Sequence, residues 1–94
     1  MMEEKIMTLH PEGKTGVNIS KAKYNTMRTA ILAAIDEEGE IAFGELPTAV
    51  EARLTEPFTG SISWYVTTVK LDLEARNEIE RVPGETPQRL RRVA

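Results

Sequence analysis

Three segments with helical spacing, a short apolar run between the first two, and two strand-like stretches flanking a Pro-Gly turn near the C-terminus set the fold class. They predict an α+β, mainly α domain of the winged helix-turn-helix type: three helices, a short strand and a C-terminal β-hairpin wing. The 94 residues are 40% hydrophobic and 29% charged, which suits one hydrophobic core with a polar surface rather than a disordered chain.

Ser20 is a natural N-cap for the first helix, and Ile19 and Tyr24 stand at the N′ and N4 positions of a hydrophobic staple. Tyr24, Met27, Ile31 and Ala34 or Ile35 then recur at helical spacing, and Gly39 supplies the stop. Asp36, Glu37 and Glu38 fall at the negative end of the helix dipole, so this end is expected in solvent. Ile41 to Phe43 suggests a very short strand. In the second helix Leu46, Val50 and Arg53 or Leu54 share a face, and Pro47 is tolerated only in a first turn, which places the start near Gly44.

Residues 55–60 read as a turn, and Ser61 caps a third helix. The β-branched and aromatic run from Ile62 to Val69 also fits a strand. A helix is preferred because Ile62, Val66, Val69 and Leu73 share one helical face, and Asn77 is an acceptable residue just past its end. Residues 78–82 and 88–93, joined by Pro83 to Pro87, form the expected hairpin.

Residues 1–16 show no sustained periodicity and are read as an N-terminal arm, loose or pinned against a winged-helix domain of residues 17–94. Gly13-Lys14-Thr15 looks like the end of a phosphate-binding loop, but that motif needs a glycine where Thr8 stands. The acidic start, Met1 to Met7, lacks the apolar stretch of a signal peptide or membrane span, so a cytoplasmic protein without membrane contact is expected.

With no cysteine, thiolate chemistry and thiolate metal sites drop out. His10 is the lone histidine, and the pairs Asp36 with Glu37 and Asp72 with Glu74 read as surface carboxylates. No enzyme, metal site or cofactor is expected.

The run Ser-Trp-Tyr-Val-Thr-Thr-Val-Lys-Leu-Asp-Leu-Glu-Ala-Arg from Ser63 to Arg76, with His10-Pro11-Glu12-Gly13-Lys14 upstream, resembles a family of short uncharacterised microbial proteins, a domain of unknown function. The match spans about residues 10–82. This resemblance implies a winged-helix-like fold without an established activity, and it supplies no functional residue. Ile79-Glu80-Arg81 is similar to the helix-to-wing junction of DNA-binding winged helices.

Charge gives the main functional clue. The net charge is −3, yet residues 79–94 hold four arginines against two glutamates, leaving eight basic and thirteen acidic side chains elsewhere. Arg81, Arg89, Arg91 and Arg92 are therefore candidate contacts to duplex DNA, gathered on the tip and edge of a wing, or else a solubilising sheet edge. Ser63, Thr67, Lys70 and Glu74 form a strip of the third helix whose hydroxyls and lysine are suited to phosphates or base edges, or which is an ordinary solvated face. Trp64, Leu71 and Ala75 form a second apolar side, covered within the chain or forming an interface. The leading expectation is a DNA-binding regulatory module acting in transcription; the rival is a protein-interaction or homodimerisation module.

Overall fold

In the computed structural model, which describes residues 3–94, the expected arm supplies strand β1 (Lys5–Met7), which pairs antiparallel with β2 (Asn18–Ser20) just beyond the arm's end. Met1 and Met2 of that arm lie outside the described residues. The pairing continues into the loop, where the Thr8 N–H donates to the Val17 carbonyl at 2.8 Å and the Thr8 hydroxyl accepts the Val17 N–H at 3.0 Å. Gly16 permits this approach, since a Cβ there would lie 1.8 Å from the Thr8 carbonyl oxygen. Ile6 and Ile19 turn inward from the hairpin onto the core.

Helix α1 (Lys21–Glu38) begins where Ser20 accepts the Lys23 N–H at 3.3 Å, and it ends at Gly39, whose φ of 80° suits glycine. Strand β3 (Glu40–Ala42) and a 3-10 turn (Phe43–Glu45) lead into α2 (Leu46–Arg53), with Pro47 in its first turn. The Ile62 to Val69 run is helical. Helix α3 (Ile62–Ala75) starts at Ser61, which accepts the Trp64 N–H at 3.2 Å. Asn77 follows at φ 61°. Burying Val66, Val69 and Leu73 along one side of that helix outweighs the strand propensity of its β-branched residues.

Strands β4 (Ile79–Arg81) and β5 (Arg89–Arg92) complete the chain. Strand β5 lies between β3 and β4, antiparallel to both, with Leu90 opposite Ile41 on one side and Arg81 on the other. The described residues thus form an α+β fold of three helices and two small antiparallel sheets. Its core joins Met27, Ile31 and Ile35 of α1 to Leu46 and Val50 of α2, to the buried side of α3, and to Ile79 and Leu90 of the sheet.

Among the described residues, two charged ones lie in this interior. Asp72, expected on the surface, is fully buried. Its carboxylate accepts the Leu9 N–H at 2.8 Å, the Tyr24 hydroxyl, and Arg76 Nε at 2.9 Å. Lys70, expected on an exposed strip, is 2% exposed, paired with Glu74 and set 4.9 Å from the Phe43 ring centroid.

Candidate functional site

Pleating decides what the tail arginines do. A central strand sends alternate side chains to opposite faces, so Leu90 enters the core while Arg89 and Arg91 point outward. Arg91 stands opposite Glu40 on β3 and Glu80 on β4, and its Nε lies 2.7 Å from Glu80. Arg89 Nε lies 2.8 Å from Glu40, Arg92 3.5 Å from Asp36, and Arg81 3.6 Å from Glu74. Three of the arginines thus sit on the middle strand of a sheet, each with a carboxylate, rather than on a free edge. Half-exposed pairs of this kind add little stability, but they cancel the local positive potential.

The third helix presents a different surface. Ser63 and Thr67 are exposed as expected, and between them lies Trp64, 46% exposed. Lys70 leaves the strip because the 3-10 turn brings Phe43 over it; burial lowers the lysine pKa, with the Glu74 carboxylate opposing the shift. Leu71 and Ala75 are half-buried beside the hairpin loop. The second apolar side of α3 is therefore divided: its C-terminal half lies beside the arm, and its N-terminal half, at Trp64, is open.

Trp64 borders a shallow groove of about 140 Å³ between α3 and the hairpin loop, with Leu9, Val17, Thr68 and Leu71 among its walls. Leu9 and Val17 are 44% and 38% exposed. Asp72 fixes one wall by holding the Leu9 N–H, and Thr8 fixes the other through Val17. The Trp64 ring stands edge-on to Tyr65, with centroids 4.9 Å apart, and Tyr65 stands edge-on to Phe58 at 5.0 Å. Aromatic packing thus supports Trp64 from the side while its outer face remains in solvent.

His10 closes the loop, its Nδ1 accepting the Glu12 N–H at 3.1 Å, and Lys14 pairs with Glu12. Among the described residues no three His, Asp or Glu side chains converge on a metal position, and no helix is long and apolar enough to cross a membrane.

Sequence reasoning singled out Trp64 and Leu71 but missed Leu9 and Val17, which lie in segments too short to show periodicity. Their only signal is an uncharged run on either side of the His10 to Lys14 loop.

No curated protein and no solved structure matches the chain. The pattern of one family does, over residues 5–90, which is wider than the 10–82 read from the motifs and takes in the hairpin and part of β5. The chain belongs to DUF6958, a family of unknown function.

Proposed function

We propose that the protein is a winged-helix protein-interaction module whose contact surface is the outer face of α3 with the adjoining hairpin loop. The order helix, strand, helix, helix, hairpin, with the first strand of that series paired to the last, supports the winged-helix reading. The observation that carries the functional reading is the exposed Trp64 flanked by Leu9 and Val17, an aromatic anchor in an apolar setting with hydroxyls around it.

The charge distribution agrees. Each tail arginine has a carboxylate partner, Lys70 is buried, and Lys14 is paired, so these side chains do not join into one positive surface. Duplex binding through the wing is the second reading, favoured by the partial exposure that Arg81, Arg91 and Arg92 retain.

A low-salt titration with random duplex DNA, followed by Trp64 fluorescence and by DNA anisotropy, separates the two. The interaction reading expects flat traces. Saturable binding that salt reverses, and that disappears when residues 88–94 are removed from a chain still folded, would establish the wing as a DNA contact.

A further inference from the structure

We infer that the partner of this surface is a second copy of the same chain, joined about a two-fold axis through the outer face of α3. The inference rests on the protein-interaction reading and names its partner.

Charge points to that partner. In a two-fold contact the same patch meets itself, so a charge near the axis faces its own copy and repels it. A self-pairing face must therefore be nearly free of charge where it is closest to the axis. In this chain 29% of residues are charged, yet from Ser61 to Leu71 the one charged residue is Lys70, and it is buried. The adjoining hairpin segments, residues 6–9 and 15–20, contain no charged residue. The uncharged stretches of α3 and the hairpin meet at the groove beside Trp64.

A different protein would gain no steering from complementary charge on the uncharged outer residues of α3. Charged residues border this face without entering it: Lys23 of α1 lies 5.3 Å from the Tyr65 ring centroid, and Glu12 and Lys14 pair at the tip of the hairpin loop, where His10 lines one end of the groove. Two copies of net charge −3 associate with least repulsion through the face that carries none of that charge.

The composition of the face also fits. Trp64 supplies an aromatic anchor, Leu9 and Val17 supply apolar area beside it, and Ser63 and Thr67 supply short hydroxyl side chains. A stable dimer covers about 800 Å² per partner, more than three apolar side chains provide. The contact therefore includes the hydroxyl-bearing residues, and Thr67, one turn beyond Trp64, lies close to the axis.

Sedimentation equilibrium of the full chain tests this. The wild type is expected to dimerise as its concentration rises. Thr67→Lys and Thr67→Glu replace an exposed side chain, keep the helical circular dichroism, and each weakens self-association about tenfold or more. Mixing the two variants restores the dimer, because lysine then faces glutamate across the axis. A wild type that stays monomeric at the highest concentration overturns the inference, as do charge variants that dimerise like the wild type. A mixture that stays monomeric overturns the two-fold pairing. Failure of the underlying interaction reading looks different: it appears as salt-sensitive duplex binding, whereas a monomer indifferent to DNA removes only the second copy as partner.

Discussion

The Tyr24 hydroxyl of α1 donates a hydrogen bond to the buried Asp72 carboxylate of α3, whose other oxygen accepts the Leu9 N–H at 2.8 Å. One carboxylate therefore ties together the hairpin loop, the first helix and the third. Arg76, one turn further on at the C-terminal cap of α3, supplies the compensating charge at 2.9 Å. A carboxylate without water needs such partners, since an unpaired buried charge is strongly destabilising. Asp72 also sets where Leu9 lies, and so shapes the groove beside Trp64.

Asp72→Ala should therefore destabilise the protein by about 3 kcal/mol or more in urea unfolding, the scale for breaking a buried ion pair. The Leu9 amide should exchange faster with solvent as the loop is released. Asp72→Asn keeps a carbonyl acceptor for that N–H and should cost less. An alanine variant within about 0.5 kcal/mol of wild type, the range of an ordinary surface change, would show that the carboxylate does not hold these elements together.

Tyr24 carries a pH signature. Burial, reinforced by the hydrogen bond to Asp72 and its charge, raises the phenol pKa from 10.0 to about 12. Between those values the folded protein keeps a proton that the unfolded chain has lost. This contribution to stability is thus complete below pH 10 and disappears as the pH rises through about 12. Lys70 acts oppositely: its lowered pKa makes stability rise with pH until the unfolded value of 10.5 is passed. Comparing melting temperatures of wild type and Tyr24→Phe across the alkaline range isolates the tyrosine, and the variant should lose stability less steeply. Parallel curves would show that Tyr24 titrates alike in both states.

Gly16→Ala should open the hairpin. The added carbon would sit 1.8 Å from the Thr8 carbonyl oxygen, so backbone must move, and overpacking of this kind costs about 1–3 kcal/mol. Gly44→Ala is the control, because a methyl group added there meets nothing within 4 Å and the φ of Gly44 is not positive. Thermal melts should separate the two variants. Equal melting temperatures would mean that the Thr8 to Val17 pairing adds nothing to the fold.

The elements legible in the sequence are those with a local cause. Ser20 and Ser61 are caps that act on N–H groups three residues away, Pro47 belongs in a first turn, and Gly39 ends a helix by its own backbone freedom. Helical spacing likewise identified the core face of α3. It does not reveal what covers the other faces. Lys70 and Asp72 are residue types that usually stay in water; the first is covered by Phe43, and the second is held by partners 48 and 63 residues away. The tail arginines were recognisable as a charge cluster, but their neutralisation depends on β3 pairing with β5, a contact across nearly fifty residues. Strands of three residues such as β1 and β2 are too short for alternation to be distinguished from chance.

Trp64 gives the last prediction, and it separates a core residue from a contact residue. With 46% exposure and an edge-on contact to Tyr65, the side chain should contribute about 1 kcal/mol to the isolated monomer, the scale of an exposed aromatic pair. Truncating a buried aromatic costs about 3–5 kcal/mol. Trp64→Ala should accordingly stay folded at high dilution, with an unfolding midpoint close to wild type by far-ultraviolet circular dichroism. Leu73→Ala on the core side of the same helix should lose about 2–5 kcal/mol. The two substitutions should then exchange ranks in self-association, because Trp64→Ala removes the anchor of the outer face whereas Leu73→Ala leaves that face intact. If Trp64→Ala destabilises the dilute monomer as much as Leu73→Ala does, Trp64 serves the core of its own chain, and the outer face of α3 loses the residue on which its proposed role as a contact surface rests.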